Sequence, residues 1–123
     1  MASKKILLIE DDPDQILMYE TAFTKAGFLV EAVRHKGEVL AAIKHERPDL
    51  VFVDMLLGED SGLDVIKELK NNIDTRDIVI VALSNFNKKD LVKEAKKLGA
   101  KDFLVKSQVM PKEIAGLVEG YLS

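Results

Sequence analysis

The sequence predicts an α/β fold of the (βα)5 kind: a doubly wound, parallel five-stranded sheet with helices on both faces. Three observations predict it. Short, nearly continuous apolar runs alternate with amphipathic stretches of helical period, five of each. The runs show little of the in–out alternation of a half-exposed antiparallel strand, so both faces of each must be covered. Proline and glycine fall where the amphipathic stretches should start and stop.

The elements follow in order. Lys5-Ile6-Leu7-Leu8-Ile9 is the first strand, at about 5–9. Pro13 opens a helix over about 13–26, at a position where its missing N–H does no harm, and Gly27 stands at its C′ position. A second strand (about 29–34) and helix (about 37–46) come next, and Pro48 separates that helix from a third strand at about 50–54. A helix at about 62–71, a strand at about 78–83 and a helix at about 87–98 ending at Gly99 continue the pattern. A fifth strand at about 103–105 leads to a last helix over about 111–122, opened by Pro111.

Two helices carry further detail. In the first, Met18, Tyr19 and Phe23 suffice for the core stripe, leaving Ile16 and Leu17 apolar on the more exposed side. In the last, Ile114, Leu117, Val118 and Tyr121 make the packing stripe. Gly116 and Gly120 each cost that helix up to about 1 kcal/mol relative to alanine. They suit crowded spots, or the close approach of another backbone.

Composition narrows the function. At 123 residues and 47% hydrophobic content the chain reads as one globular domain, residues 1–123. No apolar run approaches the roughly 20 residues of a membrane span. The lead Met1-Ala2-Ser3-Lys4-Lys5 runs straight into a strand, which leaves no room for a signal peptide. With no cysteine there are no disulfides or thiolate metal sites, which suits a cytoplasmic protein. A net charge of −3 gives no electrostatic basis for binding nucleic acid. His35 and His45 sit in polar stretches and read as surface residues. Lys88, Lys89, Lys93, Lys96 and Lys97 read as a solvated helix face, or as a docking surface for an acidic partner.

Chemistry gathers at the C-terminal ends of the strands, the edge where open α/β sheets bind ligands. Glu10-Asp11-Asp12 follows the first strand, Asp54 ends the third, Ser84-Asn85 ends the fourth and Lys106-Ser107 the fifth. Clustered carboxylates repel unless a cation sits among them, and Mg2+ takes oxygen ligands. A cation and a lysine neutralise phosphoryl oxygens, a hydroxyl donates to one of them, and an aspartate can be the nucleophile. The structural alternative is a salt-bridged rim without a ligand. Asp12, just before Pro13, reads as a helix cap, and Asp60 and Ser61 as loop or cap residues. Ser84, Asn85 and Asn87 each suit the N-cap of the fourth helix, and Phe103 suits the core.

The stretches IEDDPD, DLVFVDMLLGEDSG, ALSN and GAKDFLVKS, in that order, closely resemble the response-regulator receiver domain of two-component signalling, a CheY-like, flavodoxin-like fold. The resemblance covers essentially the whole chain. It implies that Asp54 is the phosphoacceptor. Mg2+ would be held by Glu10, Asp11, Asp54 and the backbone carbonyl of Leu56. Ser84 matches the switch Ser/Thr, Phe103 the aromatic switch position, Lys106 the phosphoryl-contacting lysine and Gly62 the glycine after the acceptor loop. The implied partner is a sensor histidine kinase or histidine phosphotransfer protein, with Ile16 and Leu17 docking it. The implied module assists its own phosphorylation and dephosphorylation, turns over no external substrate, and is a monomer or a phosphorylation-dependent dimer. Leu56 and Phe86 fill the variable positions beside the acceptor; both are apolar, which implies slow self-dephosphorylation.

Three positions depart from the family pattern: Gly58 replaces a proline, Asn85 a small residue and Ser107 the proline after the lysine. Gly58 is expected to loosen the acceptor loop. None removes a functional group. Three other classes compete, of which a metal-dependent hydrolase acting on external substrates lacks an evident substrate pocket. A phosphorylation-independent interaction module on this fold usually lacks part of the acid–lysine set, which is intact here. A flavodoxin-like nucleotide or flavin binder needs a phosphate-cradling loop rich in Gly, Ser or Thr after the first strand. Glu10-Asp11-Asp12-Pro13-Asp14 has the opposite electrostatics.

Overall fold

Apolar runs become strands that are buried on both faces at the centre of the sheet and half-exposed at its two edges, as a computed structural model of the chain describes for residues 3–123. Met1 and Ala2, the start of the N-terminal lead, lie outside the described residues. The strands are β1 (Lys5–Ile9), β2 (Leu29–Val33), β3 (Leu50–Asp54), β4 (Val79–Ser84) and β5 (Asp102–Val105), all parallel, in the order β2-β1-β3-β4-β5. The helices are α1 (Pro13–Lys25), α2 (Val39–His45), α3 (Gly62–Lys70), α4 (Lys89–Leu98) and α5 (Pro111–Tyr121). Each of the five predicted strands and helices is present.

The order reverses between β1 and β3, and the two faces of the sheet carry separate cores. Leu7, Ile9, Val51, Val53, Ile80 and Ala82 pack with residues of α2, α3 and α4. Ile6, Leu8, Leu50, Phe52, Val81 and Leu83 pack with Tyr19 and Phe23 of α1 and Ile114, Ala115 and Val118 of α5. Successive side chains of a strand point to opposite faces, so adjacent residues of each run supply different cores. Phe23 stacks on Phe52 at 5.2 Å and Tyr19 on Phe23 at 5.9 Å, which anchors α1 to the central strand.

Element ends differ from expectation in two places. The second helical stretch opens as a 3-10 turn, Lys36–Glu38, before α2 proper. α4 begins at Lys89, two residues late, and its N-cap is Lys88 without a side-chain cap. Neither Ser84, Asn85 nor Asn87 caps it. Asp12 does cap α1, accepting from the backbone N–H of Asp14 and Gln15, and Ser61 caps α3.

The core stripe of α1 also needs correction. Met18 is 46% exposed, whereas Ile16 is half-buried against the α1/α5 core. The stripe through Tyr19 and Phe23 extends back by three residues to Ile16, and Met18 lies a step round the helix from it. Leu17 is 67% exposed as expected. On α5, a Cβ added to Gly116 or Gly120 would meet nothing within 4 Å, so the chain's own packing requires neither glycine. Leu117, counted in the packing stripe, is 40% exposed.

Candidate functional site

Register decides what meets at the rim. Ile9 of β1 pairs with Val53 of β3, so extending the ladder by one residue sets Glu10 beside Asp54. The Glu10 N–H still donates to the Val33 carbonyl of β2, which holds Glu10 in the sheet at 1% exposure. Asp54 pairs with Leu83, Ser84 with Val105, and the Lys106 N–H donates to the Ser84 carbonyl at 2.8 Å. One row of side chains from four strands therefore lines the C-terminal edge of the sheet.

Lys106 is the hub of this row. Its Nζ donates to Asp54 Oδ2 at 2.6 Å, Glu10 Oε2 at 2.8 Å and Gln15 Oε1 at 2.6 Å. Asp54 Oδ1 accepts from the Leu56 N–H at 2.9 Å, so both carboxylate oxygens are held by N–H donors. The side chains of Lys106, Glu10 and Asp54 are at most 7% exposed. The Glu10 carboxyl is pushed up to about 7, chiefly by burial and then by Asp54, against the lowering influence of Lys106. Burial works against the Lys106 ammonium, but its bonds to Asp54 and Glu10 outweigh that and hold it above the ordinary lysine range. Two buried carboxylates share one ammonium here, and both burial and the neighbouring Asp54 disfavour the ionised form of Glu10.

The remaining predicted residues cluster close by. Ser84 is 1% exposed, and its Oγ accepts from the Phe86 N–H at 3.0 Å. Phe103 is half-buried against the core on the α4 side. Its neighbour Asp102 accepts from the Tyr121 hydroxyl at 2.6 Å, which ties β5 to α5. The Asp11 carboxylate faces the loop after Asp54: a Cβ on Gly58 would lie 3.6 Å from its Oδ2. Leu56 and Phe86 are 55% and 46% exposed, with Lys88 Nζ 5.3 Å above the Phe86 ring. Leu17 lies on the outer side of α1. His35, His45 and the five lysines of the α4 region are exposed.

The loop after Asp54 folds as a short hairpin. Leu56–Leu57 pairs antiparallel with Asp60–Ser61 across the turn residues Gly58 and Glu59. Gly58 has φ +60°, and Glu59 stays at negative φ, a glycine-first hairpin turn. Proline is locked near φ −65°, so a proline at this position would force another loop path. Gly62 is required for a different reason: a Cβ there would overlap the Asp54 carbonyl oxygen and come within 2.8 Å of Met55 Cα. Every described peptide bond is trans, Lys106–Ser107 included.

Two residues at the site carried no assignment from sequence. Arg34, exposed at the end of β2, donates from Nε and Nη2 to the Asp11 carbonyl at 3.2 and 3.0 Å, pinning the loop between β1 and α1. Only the β1–β2 register brings it there. Gln15 did leave a signal. Asp12-x-x-Gln15 has capping-box spacing, which points the amide back at the Asp12 N–H. That N–H instead donates to Glu10 Oε1 at 3.2 Å, and Gln15 is left to bond Lys106.

Whether the acids fit a metal ion can be asked of their geometry. The donors are all oxygen, and two buried carboxylates against one ammonium favour a hard divalent cation. Among the described residues, however, no three acidic or histidine side chains converge closely enough to enclose an ion by themselves. The Lys106 ammonium lies between Glu10 and Asp54, and Asp11 stands off toward the loop. The donor chemistry fits such an ion, and the position between Glu10 and Asp54 is taken by the lysine.

A five-stranded parallel α/β sheet with an aspartate, an acidic neighbour, a serine and a lysine on its C-terminal rim puts the chain in the CheY-like class of open α/β folds. The family model for the response regulator receiver domain matches residues 6–119, and the chain belongs to that family of two-component signalling proteins. It is 36% identical over 104 residues to the chemotaxis protein CheY of Thermotoga maritima, covering 84% of this chain and 85% of that one. It spans about half the length of other curated relatives that it matches. Vibrio cholerae CheY4 superposes with a TM-score of 0.90 at 23% identity, over 98% of this chain and all of the other, a likeness of fold. The phosphorylated cyanobacterial phytochrome response regulator RcpA superposes at 0.87 with 28% identity, over 99% of this chain and 96% of that one. Among the described residues, no helix is long and apolar enough to cross a membrane.

Proposed function

We propose that this chain is a phosphoacceptor, taking a phosphoryl group onto Asp54 from the phosphohistidine of a sensor histidine kinase or histidine phosphotransfer protein. The observation that carries the reading is Lys106 Nζ, 2.6 Å from Asp54 Oδ2 and 2.8 Å from Glu10 Oε2 at the buried rim. An Asp54 oxygen attacks phosphorus in line; the new P–O bond forms as the N–P bond breaks and the imidazole leaves. The Lys106 ammonium then neutralises phosphoryl oxygens in a water-poor site, where it acts most strongly. Glu10, Asp11, Asp54 and the Leu56 carbonyl would hold Mg2+, which when bound supplies further charge neutralisation for the transferring group.

Ser84 is the switch. Its Oγ accepts from the Phe86 N–H, and its hydroxyl proton has no acceptor among the described residues. Turning to donate to a phosphoryl oxygen releases that N–H and lets the half-buried Phe103 move inward. The surface of α4, β5 and α5 changes as a consequence, a population shift driven by the phosphoryl group. The module turns over no external substrate.

The test is labelling by acetyl phosphate or phosphoramidate with Mg2+, followed by mass spectrometry. The expected result is one phosphoryl group per chain, dependent on Mg2+ and absent from Asp54→Asn. A wild-type chain that takes up none would favour the rival, an interaction module that works without phosphorylation.

Ile16 and Leu17 are the proposed donor-docking residues. Leu17→Asp, at an exposed position, is expected to slow transfer about tenfold from a histidine kinase that phosphorylates the wild type. Its acetyl phosphate rate should be unchanged. Equal transfer rates from the kinase would remove Leu17 from the docking surface.

A further inference from the structure

We propose that Gln15 is a positioning residue for phosphoryl transfer, holding the Lys106 ammonium over Asp54 through its side-chain oxygen. The inference rests on the phosphoacceptor reading and assigns a residue that the sequence left as an ordinary helix position.

A lysine ammonium has three protons and no acceptor capacity. At Lys106 each proton has its own acceptor: Asp54 Oδ2, Glu10 Oε2 and Gln15 Oε1. These three fix the ammonium in direction as well as place. Glu10 and Asp54 come from neighbouring strands, β1 and β3, and Gln15 comes from the first turn of α1. Without Gln15 the ammonium is held from the sheet side alone, on a long side chain with several rotatable bonds.

Gln15 is free for this role because of a local substitution of partners. Its spacing from Asp12 suits a capping box, in which it would accept from the Asp12 N–H. Glu10 Oε1 already takes that N–H at 3.2 Å, and Asp12 Oδ1 still caps the helix by accepting from Asp14 and Gln15. Helix α1 therefore starts properly without the Gln15 amide, which turns to the 2.6 Å contact with Lys106.

The neutrality of the amide matters as much as its reach. A glutamate at this position could accept the same proton, yet it would set a third carboxylate around one ammonium. An incoming phosphoryl group is itself anionic, so the added charge would oppose its approach. Glutamine orients the ammonium and leaves its charge for the phosphoryl oxygens.

The test is a double-mutant cycle with acetyl phosphate as donor, which needs no docking on α1. Gln15→Met keeps the shape of the side chain and removes the acceptor. The expected result is a fall of about tenfold in the phosphorylation rate at saturating donor, the scale of one hydrogen bond to a charged group. In a Lys106→Met background the same change should have no further effect. Gln15→Glu should also be slower than wild type, at unchanged folding.

Each arm decides something. A Gln15→Met rate equal to wild type, or an equal loss with and without Lys106, overturns the inference. A merely structural role would lower the melting temperature and leave the rate of the folded protein unmoved, which also overturns it. Failure of the underlying phosphoacceptor reading looks different: the wild-type chain itself would take up no phosphoryl group.

Discussion

Lys106→Met is expected to destabilise the metal-free protein by about 3 kcal/mol at pH 8, the scale of a buried pair broken on one side. It should also slow phosphoryl uptake at Asp54 about a hundredfold, as removal of a single charge-stabilising donor does elsewhere. Both effects follow from one ammonium bonded to Asp54, Glu10 and Gln15, with the lysine and both carboxylate side chains at most 7% exposed. Without it two carboxylates face each other with the Leu56 and Asp12 N–H groups as their remaining partners.

The stability loss has a pH signature. Glu10 sits near 7 in the folded protein, above its ordinary 4.5, with burial the largest cause. The folded state therefore binds more protons than the unfolded state between those values. Its stability falls as pH rises from about 4.5 to about 7 and levels off above that. Losing Lys106 removes the influence that lowers the Glu10 value, so in the variant the decline extends to higher pH. Urea unfolding at pH 6 and pH 8 should show the larger deficit at pH 8. Saturating Mg2+ should recover part of it by mass action on the folded state. Equal deficits at both pH values would mean that Glu10 and Asp54 do not feel each other through this lysine.

Gly62→Ala should destabilise the fold by about 3 kcal/mol, at the upper end for overpacking, because its neighbours are mostly backbone. The added Cβ would overlap the Asp54 carbonyl oxygen and crowd Met55 Cα, so relief must move the acceptor strand itself. Phosphoryl uptake should fall along with stability. Gly116→Ala is the control. Nothing lies within 4 Å of a Cβ there, and the helix should gain about 0.5–1 kcal/mol. A Gly62→Ala protein as stable as wild type would show that β3 and α3 can separate without cost.

Much of this protein was legible in the sequence because strong signals repeat along it. Five apolar runs, the three central ones buried on both faces, call for a sheet covered on both sides, and parallel strands bring all their C-terminal ends to one edge. Glu10, Asp54, Ser84 and Lys106 could thus be assigned to one rim before any coordinate was known. The register then sets Glu10 beside Asp54 and Lys106 against both. Helix starts at Pro13 and Pro111 and the cap at Asp12 are local chemistry and were equally readable.

Other features needed the third dimension. Ile16 and Met18 lie about 200° apart round the helix, and the packing of α1 on the sheet, Phe23 stacked on Phe52 included, turns Ile16 toward the core. The Gly58 hairpin depends on a backbone angle that glycine permits and does not dictate. Gln15 has capping-box spacing from Asp12, but Glu10 takes the Asp12 N–H and leaves the amide to Lys106, which only the fold could show. Sequence alone determined which strands exist, how they alternate with helices and which charged groups reach the rim, because burial and chain punctuation act residue by residue. The tertiary structure decided who bonds to whom there, because an ammonium chooses among acceptors brought by separate strands and a helix, and that choice is made in space.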